Sequence, residues 1–381
     1  MKIILDGTGI SNKPTGLGVY IYQLVNSLCQ ISTNCIFELW ISTSLNNKHK
    51  IYSLDYPNLN IEKISLNSIG PLRDLKFNYY KSRITDDSIF HSLSSNFPLT
   101  FYPFKHSVTT IHDLKFILHP TYLGRLYKLK TAYLTKVFNN GIKHADRIIC
   151  ISKSTRNDLI TYYQSIDDID QKISVVPLAS ALKKLPEDKN EASGNTIFDK
   201  PYFLFVGEFR PHKNIDGMIS AFKKFYMMDK DNENFLFVIV GSKHASKTKF
   251  QMSDFSSEIL NNIIIMEDVD DHQLVHLYNN AFALLFLSHY EGFGLPIVEA
   301  MELGKPVITS NVSSMPELVK NTDYMVDPND HIAAANMMNR LAVDKEFYDR
   351  SVNNSLMQSK NYSWMKTASE TLSVYNTFSE Q

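Results

Sequence analysis

The stretch from residue 281 to residue 304 most constrains the fold, because it changes character twice within a short length. An apolar run at residues 281–287 predicts a strand buried in a parallel sheet. A turn carrying Gly292 and Gly294 follows, and residues 298–303 then predict a helix that ends at Gly304. The backbone amides and the positive end of the helix dipole meet at this turn, which favours binding of an anion.

Two carboxylates flank this turn. Glu291 precedes it, and Glu299 lies one turn into the predicted helix. Carboxylate oxygens accept hydrogen bonds, so the pair suits the vicinal hydroxyl groups of a sugar or a ribose. The alternative is that Glu299 is a solvated helix residue and that the glycines only shape a turn.

The pattern Glu-x7-Glu with Gly-Phe-Gly-Leu-Pro inside it resembles the signature of the retaining GT-B glycosyltransferases of family 4, which use nucleotide sugars. The resemblance implies that Glu299 binds the ribose hydroxyls and that Glu291 contacts the donor sugar. Glu291 could instead be a covalent nucleophile for double displacement, whereas the family favours a front-face mechanism. The implied donor-binding residues of this turn are Gly292, Phe293, Gly294, Leu295 and Glu299.

Length and composition bound the class of protein. A chain of 381 residues suggests two domains of ordinary size. Its formal net charge of -1 gives no general attraction to nucleic acid. Three unevenly spaced cysteines suggest neither a disulfide framework nor a metal site. No signal peptide and no apolar run of membrane-spanning length are recognised, so we expect a cytoplasmic protein, with peripheral contact at the inner face of the cytoplasmic membrane left open.

Alternating strands and helices in both halves predict an α/β chain with two Rossmann-like, doubly wound parallel-sheet domains. We expect an N-terminal, acceptor-side domain at residues 1–182, a polar linker at 183–199 and a nucleotide-sugar-binding domain at 200–360. The resemblance implies a GT-B arrangement with a cleft between the domains. It also implies that a helix in residues 361–381 packs back on the N-terminal domain.

A glycine-rich segment follows the first strand, at residues 2–6. Residues 7–18 predict a loop, and a helix is expected from Val19. A strand, glycine loop and helix can cradle phosphate, although the Gly-x-Gly-x-x-Gly spacing is absent. Residues 14–18 resemble the family loop that closes over the donor diphosphate, which implies that Gly16 and Gly18 bind the donor. The alternative is a flexible surface loop.

His112 and Asp113 follow a β-branched strand that starts near His106. They are therefore expected at the carboxyl edge of a parallel sheet, where such sheets place ligands. On position alone the histidine is as often structural as functional. The pair resembles the family's His-Asp pair, which implies that His112 faces the reacting sugar and is catalytic, while Asp113 orients the loop.

A basic loop follows the apolar strand at residues 202–206. Lys213 matches the lysine of the family's phosphate-binding motif, and the alternative is a surface lysine. The family usually adds an arginine right after the glycine or just before the lysine, but Glu208 and His212 stand there in this chain. Arg210 is the arginine that this loop does contain. The resemblance implies that Arg210 binds the donor, although its position departs from the family pattern.

Cleavage of a nucleotide sugar builds negative charge on the leaving diphosphate. The adjacent aspartates at 86–87 and 270–271 lack Asp-x-Asp spacing, and no metal-ligand set is recognised. Lys213, Arg210 and the amides of residues 292–295 can stabilise that charge electrostatically. We therefore predict metal-independent transfer with no cofactor.

Gly7 and residues 14–18, together with residues 110–113, resemble the corresponding segments of bacterial mannosyltransferases of surface-polysaccharide (O-antigen) synthesis. That resemblance implies GDP-mannose as donor, with UDP- or dTDP-sugars next, and a lipid-linked or growing glycan as acceptor. The alternatives are a nucleotide-sugar epimerase of the same architecture and a non-catalytic, sugar-binding relative.

Overall fold

The computed structural model describes residues 1–66, 72–95, 97, 104–123, 127–182, 197–241 and 257–379. It has two compact units, which we call unit 1 (Met1–Leu178 with Ser363–Gln381) and unit 2 (Ala179–Tyr362). The predicted first domain ran to residue 182, whereas unit 1 stops at Leu178, because the last strand of its sheet already ends at Val175. The predicted linker falls mostly on residues 183–196, which lie outside the described residues.

Unit 1 is built on a seven-stranded parallel sheet with the order β3-β2-β1-β4-β5-β6-β7. The strands are β1 Lys2–Asp6, β2 Ile36–Ser42, β3 Leu59–Ile64, β4 Ser88–Ser92, β5 His106–Ile111, β6 Arg147–Cys150 and β7 Ile173–Val175. The strand order reverses between β1 and β4, and the carboxyl edge at such a reversal is where doubly wound sheets bind ligands.

The first helices of unit 1 connect these parallel strands. They are α1 Gly16–Ile31, α2 Leu72–Tyr80, α3 Lys115–Leu118, α4 Tyr127–His144 and α5 Lys153–Tyr162. The prediction that α1 starts at Val19 is wrong: it starts at Gly16, because the Thr15 hydroxyl caps the helix by accepting the Gly18 N–H at 3.1 Å.

Unit 2 repeats the pattern with a six-stranded parallel sheet in the order β10-β9-β8-β11-β12-β13. The strands are β8 Tyr202–Val206, β9 Leu236–Val240, β10 Ile263–Met266, β11 Ala283–Phe286, β12 Val307–Ser310 and β13 Met325–Val326. The helices are α6 Ile215–Tyr226, α7 Ser257–Asn261, α8 Asp271–Asn280, α9 Leu295–Glu302, α10 Met315–Val319, α11 His331–Val343 and α12 Lys345–Ser359. Here the order reverses between β8 and β11.

The last helix, α13 (Trp364–Asn376), belongs to unit 1 and packs against α1. Its Thr367 hydroxyl donates to the Pro177 carbonyl at 2.7 Å. Tyr375, fully buried on the same helix, lies 2.6 Å from Nδ1 of His91 on β4. These contacts hold the C-terminal segment within the N-terminal sheet unit.

The backbone segments that follow β8 and β9 approach each other closely at the carboxyl edge of the unit 2 sheet, beside the predicted phosphate loop. A Cβ added to Gly241, just after β9, would lie 2.0 Å from the Gly207 carbonyl oxygen that follows β8. Only glycine fits at that distance, so Gly241 allows the ends of β8 and β9 to stay together.

Candidate active site

The turn between β11 and α9 has its backbone fixed by residue type. Gly294, the residue before α9, has a φ of +112°, a conformation that favours glycine. A Cβ there would also lie 3.1 Å from the Leu318 side chain. Pro296 occupies the first turn of α9, where its missing N–H interrupts no helical bond. The strand, glycine turn and helix predicted from the sequence are present in this order.

Two serines that follow β12 hold the backbone of the turn. The Ser313 hydroxyl donates to the Glu291 carbonyl at 2.6 Å and accepts the Glu291 N–H at 3.1 Å. The Ser314 hydroxyl donates to the same carbonyl at 3.0 Å and to the Phe293 carbonyl at 2.6 Å. Both polar groups of the Glu291 backbone are therefore satisfied, which fixes where its side chain starts.

Lys213 and Glu291 form an ion pair at this turn. The Lys213 ammonium lies 2.6 Å from Glu291 Oε1, and the side chains are only 15% and 11% exposed. The same ammonium lies 5.3 Å from the centre of the Phe286 ring. Because the pair is shielded from water, either charge would be costly without a partner. The sequence predicted Lys213 near this turn but not its direct contact with Glu291.

Asn214 holds Lys213 in place. Its φ is 56°, a left-handed conformation in which asparagine is enriched. Its side-chain amide donates to the Leu287 carbonyl at 2.9 Å and to the Pro328 carbonyl at 2.8 Å. The loop after β8 is thereby tied to the segment after β11, and the adjacent Lys213 is directed at Glu291.

Arg210 lies in the same loop but has a different partner. Its Nε donates to Glu208 at 2.9 Å, and the two side chains are 43% and 49% exposed. An exposed ion pair of this kind is weak. Glu208 stands at one of the two positions where the family usually has an arginine. In this chain it forms the ion pair with Arg210.

Glu299 is buried, with 9% of its surface exposed, so the alternative of a solvated helix residue is wrong. The fully buried Tyr278 hydroxyl, from α8, donates to Glu299 Oε2 at 2.8 Å. Burial raises the pKa of Glu299 to about 7, with Asp271 and Glu302 adding to the rise and the Tyr278 hydrogen bond opposing it. Near neutral pH this carboxyl group is therefore close to half protonated.

His112 lies in unit 1, at the carboxyl end of β5. Its Nε2 is 2.8 Å from the Leu93 carbonyl oxygen, and the edge of its ring contacts Tyr20 with centroids 4.8 Å apart. Burial lowers the pKa of His112, against the Leu93 hydrogen bond and the Asp113 charge, which raise it. A neutral imidazole that keeps Nε2 protonated donates to Leu93 and leaves Nδ1 as an acceptor.

A cavity of about 160 Å³ opens beside His112. The polar part of its lining consists of Ser94, Ser95, His112 and Asp113. The apolar part consists of Phe116, Leu134, Val137 and Phe138. Asp113 accepts the Lys115 N–H at 3.0 Å at the start of α3, and its loop-orienting role remains a prediction.

A buried polar network behind His112 was not predicted. His91 Nε2 lies 2.8 Å from the Thr110 hydroxyl, which lies 2.9 Å from the Tyr20 hydroxyl. Burial, with a smaller effect of His112, lowers the pKa of His91 to about 3, so this histidine stays neutral. The network joins β4, β5 and α1, and Tyr375 extends it to α13.

The glycine-rich segment after β1 is more regular than predicted. Gly16 and Gly18 lie in the first turn of α1, and the Gly18 N–H is already bonded to Thr15. Their predicted role in donor binding remains a prediction, with Gly16 rather than Gly18 placed at the helix end.

Among the described residues, no group of three or more His, Cys, Asp and Glu side chains is arranged to hold a metal ion. None of the described helices combines the length and the apolar character that crossing a membrane requires.

Comparison with known proteins shows similarity over both units. Residues 187–356 match the family model described as glycosyl transferases group 1, and residues 71–179 match the model described as glycosyltransferase family 4. The chain is 27% identical to the O-antigen chain mannosyltransferase B of Escherichia coli, over 76% of this chain and 74% of that protein. It is 26% identical to the O-antigen chain mannosyltransferase RfbU of Salmonella typhimurium, over 59% and 58%. It spans only 34% of the E. coli mannosyltransferase WbdA, with 25% identity over 73% of this chain.

Solved structures share the fold at lower identity. A sucrose-phosphate synthase from Thermosynechococcus elongatus superposes with a TM-score of 0.77 and 18% identity, covering 100% of both chains. The Anabaena protein HepE, solved with UDP and glucose, gives 0.68 and 17%, covering 98% and 99%. Two Rossmann-like parallel-sheet units of this kind give the GT-B fold. The chain is a glycosyltransferase, and the two matched models together with the O-antigen mannosyltransferase relatives support family 4.

Proposed function

We propose that the protein transfers a hexose, with mannose from GDP-mannose as the first choice, to a lipid-linked or growing glycan of a bacterial surface polysaccharide. The observation that carries this proposal is the shielded Lys213–Glu291 pair at the turn before α9, the helix that carries buried Glu299. The similarity to proteins named O-antigen mannosyltransferases supports the choice of sugar.

The ion pair suits a diphosphate-linked sugar because its two charges have complementary uses. An incoming diphosphate takes the Lys213 ammonium as its counter-ion, and Glu291 is then free to accept hydrogen bonds from the sugar hydroxyls. Glu299 accepts hydrogen bonds from the ribose hydroxyls. Arg210 and the backbone from Gly292 to Leu295 add to the anion site.

Lys213 also stabilises the leaving diphosphate as the glycosidic bond breaks, so transfer needs no metal. We favour retention of the anomeric configuration by a front-face path, in which the leaving phosphate takes the acceptor proton. In unit 1 we assign the contact with the substrate to His112, which lines the cavity and whose pKa is lowered by burial.

A panel assay tests the proposal. The protein is incubated with GDP-mannose, UDP-glucose or a dTDP-sugar, each with and without glycan and lipid-linked acceptors, and released nucleoside diphosphate is measured. Acceptor-dependent release of GDP, unchanged by EDTA, with an α-linked product in proton NMR, is the expected result. Conversion of the sugar without acceptor indicates an epimerase, and failure of any nucleotide sugar to bind in calorimetry indicates a non-catalytic relative.

A peripheral site at the cytoplasmic face of the membrane fits one surface of unit 1. None of the 18 residues of α4 is acidic. Lys128, Lys136 and Lys143 are exposed, as is Leu129, and helical periodicity places all four within one face. Such a basic face with an apolar residue favours anionic lipid.

Sedimentation with vesicles tests this surface. We expect binding to vesicles containing anionic phosphatidylglycerol, weakened by salt, and little binding to phosphatidylcholine alone. The double variant Lys128→Glu/Lys136→Glu should lose it. Lys345→Glu, at an exposed lysine on α12 of unit 2, is the matched control and should bind like the wild type. Equal binding by all three proteins would contradict the assignment.

A further inference from the structure

Glu299 is an acid surrounded by apolar helix. Its neighbours Val298, Ala300 and Met301 are almost completely buried, and so is Ile297 two residues earlier. A carboxylate in such a place needs a hydrogen-bond donor, because an unpartnered buried charge is strongly destabilising. That donor comes from another helix: the Tyr278 hydroxyl on α8, 2.8 Å from Oε2.

Tyr278 is suited to a single, permanent role as donor. Burial and the neighbouring Glu299 charge raise the pKa of Tyr278 well above its ordinary value, so the phenol keeps its proton at any physiological pH. Its ring is fully buried, and α8 begins with a capping box between Asp270 and Gln273 that fixes the start of the helix. The hydroxyl position is therefore set by packing.

A fixed donor at one carboxylate oxygen also sets the direction of the other. With Oε2 bonded to Tyr278, rotation of the Glu299 carboxyl group would break that bond, so the plane of the group is held. Any proton that Glu299 takes up then resides on Oε1. A preset carboxylate binds a vicinal diol more tightly than a mobile one, because less conformational entropy is lost on binding.

We propose that Tyr278 is a positioning residue for nucleotide recognition, holding Glu299 so that its remaining acceptor sites meet the two ribose hydroxyls. The inference rests on the proposed function, since it takes the ligand of Glu299 to be the ribose of a nucleoside diphosphate sugar. The opposing view is that Tyr278 only satisfies a buried acid and packs α8.

A second buried tyrosine offers a matched control. The Tyr202 hydroxyl donates to the Leu277 carbonyl at 2.6 Å, on the residue next to Tyr278, and Tyr202 is only 1% exposed. Tyr202→Phe and Tyr278→Phe each remove one oxygen and one hydrogen bond near the C-terminal end of α8, the first a bond to the Leu277 carbonyl and the second a bond from α8 to α9. They differ in that only Tyr278 contacts Glu299.

The experiment measures ribose recognition by calorimetry. GDP and UDP are titrated at pH 8, each beside its 2′,3′-dideoxy form, into the wild type, Tyr278→Phe, Tyr202→Phe and Glu299→Gln. For the nucleotide that binds, we expect the wild type to lose roughly tenfold in affinity when the hydroxyls are absent. Tyr278→Phe should weaken binding of the ribonucleotide roughly fivefold and leave the dideoxy form unchanged. Tyr202→Phe should match the wild type with both.

The outcomes separate the two levels of the proposal. If Glu299→Gln keeps the full penalty for the dideoxy form, the ribose assignment of the proposed function fails. If Glu299→Gln removes the penalty while Tyr278→Phe keeps it, only the positioning inference fails. Should Tyr278→Phe unfold, Glu299→Asp provides the same test, because it draws the carboxylate back from an intact phenol. An Asp variant with full ribose discrimination would overturn the inference.

Discussion

The site residues of the two units differ in how they carry charge. In unit 2, the Glu291 turn has a paired ammonium and carboxylate, and Glu299 titrates near neutral pH. In unit 1, the residues behind His112 are hydroxyl groups, aromatic rings and a histidine whose pKa is far below neutrality. The cavity beside His112 combines two serines, His112 and Asp113 with apolar walls, so one carboxylate is the only acidic group among its described lining residues.

This difference matches two kinds of ligand chemistry. Binding of a diphosphate requires positive charge. Shielding that charge from water costs free energy, and a paired carboxylate offsets this cost until the diphosphate replaces it. A carbohydrate acceptor is neutral, so hydroxyl groups and apolar surface suffice for it. Four predictions test whether activity depends on charged side chains in unit 2 and on neutral, packed side chains in unit 1.

The largest effect is expected from Lys213→Ala in unit 2. It removes the ammonium that is proposed to stabilise the leaving diphosphate, and it leaves the Glu291 carboxylate without its ion-pair partner. The value of kcat/KM should therefore fall on the order of a hundredfold or more. Steady-state kinetics with saturating acceptor measures this. Arg210→Ala removes a positive charge from the same loop, but one whose partner is exposed Glu208, and it should cost at most a few-fold. Equal losses in the two variants would remove the distinction between a shielded and an exposed cation.

In unit 1, His112→Ala should lower kcat by roughly ten- to a hundredfold, as expected for loss of a hydrogen bond to the reacting sugar. His106→Ala is the control, because it lies at the other end of the same strand and its ring contacts Phe378. Because burial lowers the pKa of His112, its ionisation should appear in the pH profile only on the acidic side of the ordinary histidine range. A kcat in His112→Ala equal to that of the wild type would make this histidine structural.

Glu299 should give unit 2 a pH response that unit 1 lacks. Under the proposed function its carboxylate form would accept the ribose hydroxyls, so kcat/KM for the donor should rise roughly tenfold from pH 6 to pH 8, with a midpoint near the pKa of about 7. The groups that face this carboxyl and set its titration are Tyr278, Asp271 and Glu302.

Glu299→Gln is the control for the pH response, because it should flatten the profile at a low value. It should also make the unliganded protein more stable at pH 8, because a raised folded-state pKa means that stability is lost as pH rises from the ordinary carboxyl range through about 7, and the whole loss is present at pH 8. A pH step that survives in Glu299→Gln belongs to another group.

The smallest effect is expected from Tyr375→Phe on α13. It removes the hydrogen bond to neutral His91 and should lower the free energy of unfolding by about 1 kcal/mol, measured by urea denaturation. Activity should not change, because the network behind His112 is neutral scaffolding. A fall in kcat without loss of stability would instead make this network part of the catalytic machinery.

The sequence predicted the α/β class and the Glu291 turn because these depend on local patterns. Apolar runs, the glycine at a left-handed position and the first-turn proline are all readable within a few residues. The start of α1 was mispredicted because glycines were interpreted as loop, whereas the Thr15 cap decided the helix start.

The partners in the site could not be predicted because they join distant parts of the chain. Lys213 and Glu291 are 78 positions apart, and Tyr278 and Glu299 are 21 apart. No local signal marks Ser313 and Ser314 as the residues that hold the turn. The one available hint was Glu299 itself, since an acid flanked by Val298, Ala300 and Met301 implies a buried hydrogen-bond donor.

The most direct test of the account is the affinity for free GDP, and for UDP as the other candidate, measured by calorimetry on the wild type and on Glu291→Gln. If Lys213 exchanges Glu291 for the diphosphate, removing the Glu291 charge should free the ammonium and tighten nucleotide binding several-fold, even as transfer activity is lost. Unchanged or weaker binding in Glu291→Gln would contradict the exchange and, with it, the role assigned to the pair.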